Sequence, residues 1–494
     1  MFHRNSSKHS CLNPADKLLY MSPSIFEDAS KKLQRAAAVF KTRLADYSSV
    51  TLVHHYDCDG ICSAAIMMNT LRALNKHVKV KVIKQLYTDT LKQLGACEGM
   101  LVFVDFGSNH LDVLSDALDG KFFVIDHHQV KHSKLASNLN MHVNINMLGL
   151  DGGVHGSAST TCYLLSKYML GYPTKDAVLA VVGAVGDIQN AGGRLLGLNR
   201  VALEDAVQQH LIRVERDLRF YGRVTRPLWQ FLAFASNPMI PGLTGNEKAC
   251  KNFLHELNIP LKDGERWRSY ATLTSDEKKR LITALALHMQ KVGVPSSKIE
   301  RIMGETYTLL REPSHSPLRD ASEFATLLNA CGRAMETAPA LCVCLGDRQK
   351  SYHAALRILT KHRNQLRNAL EFLAHTGVEE RQHFYFFDAR NNIDDSIVGI
   401  VAGLFYGGIM VPRKPIIAFA QQHDGAIKVS ARCSHELAEQ GVNLGKLMRE
   451  CCAELGEGNE GGGHKVAAGC RIMPEEKQRF LTLLENKLAK KLYF

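Results

Sequence analysis

The chain is poor in tryptophan, with two in 494 residues, and in proline, with fourteen, while its charged fraction of 22% and apolar fraction of 45% are ordinary. That balance excludes disordered, collagen-like and disulfide-scaffold classes. No Cys-x-x-Cys pair occurs among the thirteen cysteines, which stand alone apart from Cys451-Cys452. With no apolar signal segment near the start, this usage predicts a reducing, cytoplasmic setting. Nor does any run suit a membrane span: the uncharged stretch 396–412 is broken by four glycines and closed by Pro412, so no membrane partner is expected. Residues 1–15 contain no acid, and they read as a frayed terminus in preference to a transit peptide. Acids are also the minority overall: 61 Lys and Arg against 49 Asp and Glu leave +12, which favours a polyanionic partner such as nucleic acid.

At about 150 residues per domain the length predicts about three domains. Ser24 and Glu27 suggest a capping box opening an amphipathic helix to about Ala45. The period then changes. Short β-branched or aromatic runs at 50–55, 78–83, 100–105 and 122–126 alternate with helical patterns at 62–74 and 110–118, the mark of βαβ units in a doubly wound parallel sheet. From about 155 helices dominate, including the apolar run 177–186. The first domain is expected to span 23–245, behind a flexible 1–22. A helical middle region is expected over 246–335, with Thr274–Glu277 capping one helix, and a second, smaller α/β portion over 336–494, opening on a strand at 341–345 and closing with a basic helix.

Chemistry concentrates at strand ends, where open α/β sheets bind ligands. In His55-Tyr56-Asp57-Cys58-Asp59-Gly60, an extended backbone would put His55, Asp57 and Asp59 on one face, and Gly60 would permit a tight turn. One such run also suits a plain solvated strand end. Asp105 follows the apolar run 100–104, Asp126-His127-His128 follows 122–125, and Asp187 ends the apolar helix against its dipole. Asp57, Asp59, Asp105 and Asp187, with His55 and His127, suit two divalent cations, Mn²⁺ in preference to Mg²⁺, that activate water against a phosphoester. Downstream, Gly461-Gly462-Gly463-His464-Lys465 offers an anion nest or a plain loop, and Arg432, sharing a strand face with Lys428 and Ser430, offers a phosphate fork or a surface ion pair.

These strings, HYDCDG, VFVDFG, VIDHH, GAVGD and GGGHKVAAG, resemble in order and spacing the motifs of the DHH phosphoesterases. The intervening strings GSAST, GLNRVALEDAV and SPLRDASEFATLLNACGR are similar to those of archaeal RecJ-like proteins, including the GINS-associated nuclease. The resemblance implies a DHH domain, a middle insertion and a DHH-associated C-terminal domain with a cleft between lobes. It implies that His55, Asp57, Asp59, Asp105, His127 and Asp187 hold two cations, with Asp105 bridging. His128 would face the scissile phosphate and Asp126 would orient an imidazole. Arg432, His464, Lys465 and the three glycines would hold the substrate, with Ser157 and Ser159 touching its backbone. The implied activity is exonucleolytic trimming of single-stranded DNA or RNA, with polarity open, in a cytoplasmic, nucleoid-associated replication or repair setting with GINS and MCM. Two other readings remain: a non-catalytic replisome scaffold, and a phosphatase of small substrates. His55 stands where many RecJ-like members carry aspartate, and Gln189-Asn190 where relatives often carry a later acid.

Overall fold

The computed structural model describes residues 23–84, 86, 88–130, 133–235, 238–408, 413–456 and 459–491. The chain divides into two compact units, 1–219 with 303–355, and 220–302 with 356–494.

In the first unit, helix α1 (Pro23–Ala45) precedes β1 (Ser49–His55), α2 (Cys58–Ala73), β2 (His77–Ile83), β3 (Met100–Val104), β4 (Phe122–Asp126) and β5 (His142–Asn144). The five strands pair in parallel in the order β2-β1-β3-β4-β5. Every residue of β3 and β4 is buried, as in parallel strands covered on both faces. The order reverses between β1 and β3, so the carboxyl ends of those two strands flank the crevice where doubly wound sheets bind ligands.

Helices α3 (Ala158–Leu170) and α4 (Ala177–Gly186) pack against α2 and each other. Strand β6 (Ile212–Leu218) then pairs antiparallel with β7 (Met303–Leu309), Leu218 opposite Met303. The stretch 220–302 leaves and rejoins the first unit at one end of this ladder. Helix α5 (Ala321–Arg333) packs on α4 and α2, so the expected middle region 246–335 is shared between the two units. The strand expected at 341–345 is instead part of helix α6 (Thr337–Cys344), packed on α2. A short apolar run suits either structure, and here the run begins upstream with alanines and a proline that the first helical turn tolerates. Helix α7 (Lys350–Thr376) follows.

In the second unit, 220–302 is largely helical, and the helix Ser275–Lys291 opens on a capping box between Thr274 and Glu277. Strands β8 (Glu379–Glu380), β9 (Tyr385–Asp388), β10 (Ile416–Gln421), β11 (Ile427–Arg432), β12 (Glu460–Gly463) and β13 (Ala467–Ile472) form a mixed sheet in the order β8-β9-β10-β11-β13-β12. One face packs on α9 (Leu444–Leu455) and the closing helix Lys477–Ala489, the other on α8 (Val398–Gly408) and the end of α7. Among the described residues, no helix is long and apolar enough to cross a membrane.

Candidate metal centre

Strand β1 stops at His55, sooner than the shared extended face of His55, Asp57 and Asp59 requires. Asp57 instead caps α2, its Oδ1 accepting the Gly60 N–H at 3.0 Å, and Asp59 sits in the first helical turn. Gly60 makes this turn possible, because a Cβ there would lie 2.3 Å from the His55 carbonyl oxygen. The acids still converge, by a different route. The Asp59 carboxylate, 2% exposed, accepts the N–H groups of Ala158 (2.7 Å) and Ser159 (3.1 Å) at the start of α3, where the helix dipole favours a negative charge. Gly183 on α4 lets this happen, since a Cβ there would lie 2.1 Å from Ser159 Oγ and 2.6 Å from Asp59 Oδ1.

Asp105 stands at the centre. It follows β3 with φ +67°, a left-handed conformation that aspartate tolerates, and it is 1% exposed. Its Oδ2 lies 3.3 Å from His55 Nδ1 and its Oδ1 3.2 Å from His127 Nε2. His55 Nδ1 is 2.9 Å from Asp57 Oδ2, and His127 Nε2 is 3.8 Å from Asp59 and 3.7 Å from Asp187. None of these approaches has hydrogen-bond geometry: His55 Nδ1, both Asp105 oxygens and His127 Nε2 are buried without a hydrogen-bond partner. Atoms that face a shared point and not one another are what a cation site requires. The tautomer agrees. His127 Nδ1 donates to the Gly152 carbonyl at 2.7 Å, leaving the Nε2 lone pair aimed at the acids. Burial, with Asp57 and Asp59 beside it, pushes the Asp105 carboxyl up to about 7. Burial likewise lifts Asp187 to about 6, against the pull of His127. Carboxylates crowded in this way are relieved by a divalent charge, and the oxygen and imidazole donors fit Mn²⁺ or Mg²⁺.

His128 has a ligand-capable nitrogen within 4.8 Å of a carboxylate oxygen of Asp105 and a ring nitrogen of His127. Its Nδ1 donates to Asp126 Oδ1 at 2.8 Å, which leaves Nε2 free. Burial pushes this imidazole down, but Asp126 overrides it and lifts it to about 9. Asp126 also accepts the N–H groups of Ser108, His127 and His128; burial would raise its carboxyl, yet His128 leads the partners that hold it well below the usual carboxylate range.

Several residues that the sequence reading gave no role build this centre. Gln189 donates to Asp187 Oδ2 and to the Gly152 carbonyl, each at 2.9 Å, and accepts from Asn199. Asn146 donates to the carbonyls of His127 and His128. From α5, Asn329 Oδ1 accepts the Cys58 N–H at 3.0 Å, and Gly332 lies so close that a Cβ would meet the Tyr56 carbonyl at 1.9 Å. That contact brings Arg333 to the rim. Burial lowers its guanidinium pKa while Tyr56 and Asp57 raise it. A basic residue closing a helix is the only trace of this in the sequence.

Other expected residues take different places. Ser157 and Ser159 are 0% exposed. Ser157 caps α3, its Oγ is 2.9 Å from Ser159 Oγ, and Ser159 donates to the Ala180 carbonyl, so these hydroxyls shape the seat of Asp59 and present no surface to a strand. Gly461–Gly463 form β12 and not a nest: along a strand successive N–H groups point to opposite sides. Glycine is needed at 461 because a Cβ would lie 2.6 Å from the Met448 carbonyl oxygen on α9. His464 and Lys465 are exposed in the turn between β12 and β13, closed by His464 N–H to the Ala467 carbonyl at 2.8 Å. Arg432 ends β11, donating to the Ala431 carbonyl at 2.8 Å and lying against Gly399 on α8. Arg432 and the run Gly461–Lys465 lie in the second unit and the acid and imidazole cluster in the first.

Three family models match the chain: the DHH family N-terminal domain over 49–183, the DHH-CID domain over 220–303 and the DHHA1 domain over 382–490. An uncharacterized protein of Methanocaldococcus jannaschii is 26% identical over 94% of this chain and 98% of its own length. Among solved structures, RecJ of Thermus thermophilus in complex with Mn²⁺ superposes with a TM-score of 0.57 at 18% identity, covering 93% of this chain and 55% of that one. An exonuclease RecJ bound to manganese gives 0.55 at 17%, covering 92% and 94%. CDC45 from Entamoeba histolytica gives 0.64 at 12%, covering 93% and 99%. At such identities these are likenesses of fold. The chain carries DHH, DHH-CID and DHHA1 domains over these residues and has a RecJ-like fold.

Proposed function

We propose that this chain hydrolyses phosphodiester bonds of single-stranded nucleic acid from one end, with two divalent cations held by His55, Asp57, Asp59, Asp105, His127 and Asp187. The observation that carries the reading is the convergence on Asp105, whose two oxygens face different imidazoles with no hydrogen bond to either. The chemistry such cations supply is charge neutralisation at the phosphate and acidification of water. The protein's share is positioning. Asp126 fixes the His128 ring through Nδ1, so that Nε2 can donate to a phosphate oxygen or leaving group. Arg333, set beside Asp57 by the close packing of Gly332, offers a fork to the same phosphate. Arg432, His464 and Lys465 are the candidates for holding the substrate from the second unit. Their support is the matched DHHA1 domain.

The test is release of label from 5′- and 3′-labelled single-stranded DNA and RNA, with Mn²⁺, Mg²⁺ or chelator. Metal-dependent mononucleotide release, lost in Asp105→Asn and reduced about 100-fold in kcat/KM by Arg333→Ala, is expected. The label that leaves first reads the polarity. Faster cleavage of a dinucleotide than of a long strand would show a small-substrate phosphatase instead.

A second reading, a non-catalytic replisome subunit, draws on the likeness to CDC45 over nearly all of that chain. It gains if no metal supports release while strand binding persists. GINS and MCM as partners in a nucleoid setting rest on the sequence resemblance, and co-purification checks them.

A further inference from the structure

Helix α7 runs from Lys350 to Thr376, and its first acid is Glu371. Over the part within the second unit, from Leu356 onward, it is sharply two-sided. Ile358, Leu359, His362, Ala369 and Leu373 are buried, whereas Arg357, Thr360, Lys361, Asn364, Arg367 and Asn368 are exposed. At about 100° per residue the exposed residues just named occupy an arc of roughly 120°. Neither Arg357 nor Lys361 has an acidic partner among the described residues. A solvated helix face usually mixes signs to make i,i+4 pairs. Here no acid stands between Lys350 and Leu370, and the first, Glu371, lies one turn beyond Arg367, so the charge of Arg357 and Lys361 has no acid one turn away on the helix.

Beside this strip lies an aromatic column. Arg363 donates to the Tyr221 hydroxyl at 2.8 Å. Arg226 lies 4.8 Å from the centroid of the Tyr221 ring and 4.7 Å from that of Phe234, and Phe234 is 49% exposed. The alternation of ring, guanidinium and ring leaves an open apolar edge on the solvent side, fastened to the cationic helix through Tyr221. A cationic strip and a stacking platform together fit a backbone of phosphates with unstacked bases. A duplex hides its base faces and cannot use the platform.

We propose that the exposed face of α7 around Arg357, Lys361 and Arg367, with the Tyr221-Arg226-Phe234 column, is a binding track for single-stranded nucleic acid, in which phosphates lie on the helix and a base stacks on Phe234. This deepens the proposed function and rests on its polymer substrate. From Arg357 to Asn368 the helix rises about 16 Å, enough for two or three nucleotides. A long strand can therefore occupy the strip and the metal centre at once, whereas a trinucleotide being cleaved at the centre has no nucleotides left over for the strip.

The experiment measures two readouts on the full chain, the Arg357→Ala/Lys361→Ala variant and Phe234→Ala: binding of fluorescent dT20 and of a twenty-base-pair duplex by anisotropy in chelator, and Mn²⁺-dependent cleavage of dT20 and dT3. For the double variant, dT20 affinity should fall at least tenfold and its log–log salt slope should shrink by about 1.4, two phosphate contacts' worth. Cleavage of dT3 should stay within twofold. Phe234→Ala should weaken dT20 about tenfold with duplex binding unchanged, and Phe234→Tyr, which keeps the ring, should bind as the parent does. Unchanged dT20 affinity in both variants overturns the track, as does equal weakening of duplex and single strand. A parent chain that cleaves nothing yet binds dT20 through these residues removes the nuclease reading and leaves the track standing.

Discussion

Gly183→Ala probes how the seat of Asp59 is built. A Cβ at 183 would lie 2.1 Å from Ser159 Oγ, 2.7 Å from Ser159 Cβ and 2.6 Å from Asp59 Oδ1. Relief needs a displacement of about 1 Å, given normal contact distances near 3.5 Å and some sharing of the shift. Helix α4 is buried nearly throughout, so the movement falls on Ser159 and Asp59, and overpacking of this kind costs about 1–3 kcal/mol. Asp59 also holds two charge-assisted bonds from α3, at 2.7 and 3.1 Å; loosening them costs about as much again. Lower thermal stability and a 10–100-fold loss of Mn²⁺ affinity are expected, the range that follows when a ligand loses its support. Calorimetric titration and thermal melting of the metal-free protein measure the two effects. Gly192→Ala is the control, since a Cβ there meets nothing within 4 Å. Adding Ser159→Gly to Gly183→Ala removes the two closest Ser159 clashes and should recover part of both losses. Parental Mn²⁺ affinity and melting temperature in Gly183→Ala would refute the reasoning.

Replacing 220–302 by Asn-Gly should leave the first unit folded with its Mn²⁺ affinity within threefold, because Leu218 and Met303 are opposite partners in the β6–β7 ladder; removing 246–335 should abolish both, because it takes β7 and α5. Circular dichroism and Mn²⁺ titration decide, and the reverse order of damage would sink the division. Glu277, hydrogen-bonded by Arg268 against the effect of burial, has its carboxyl lowered to about 2. A depressed folded value stabilises above the unfolded value near 4.3 and is lost as pH falls toward 2. Glu277→Gln should therefore be less stable by about 1–2 kcal/mol at pH 7, after discounting for screening, and the gap should close between pH 4.5 and 2.5 in urea melts; a constant gap contradicts the assignment. Ile188, 71% exposed, has φ +60°, a strained conformation for a β-branched residue. Ile188→Asn should raise the urea midpoint, by about 0.5–1 kcal/mol in stability; a lower midpoint would mean that its side chain packs usefully.

The parallel sheet was legible because strands covered on both faces read as unbroken apolar runs, and the runs of β1, β3 and β4 each lead into an acid or imidazole of the cluster. Asp57 and Asp59 were legible as residues but not in their geometry, since Gly60 starts a helix two residues earlier than an extended reading allows. Arg333 and Asn329 could not be found beside β1 by any local pattern, because α5 reaches the site through tertiary packing alone. Ser157, Ser159 and Gly461 show why the rest was hard to read: small residues that permit close packing have the same letters as small residues that bind anions.

The hydrogen bond from the Cys58 N–H to Asn329 joins positions 271 apart. At about 5–20 residues per second, a ribosome needs roughly 15–55 s to pass from one to the other. For that interval the emerging chain holds the acids of β1 and β3 without the helix that closes around them, and the whole insertion is made in between. Completion of the centre is thus timed by synthesis, and a nascent first unit is a weaker metal trap than the finished one.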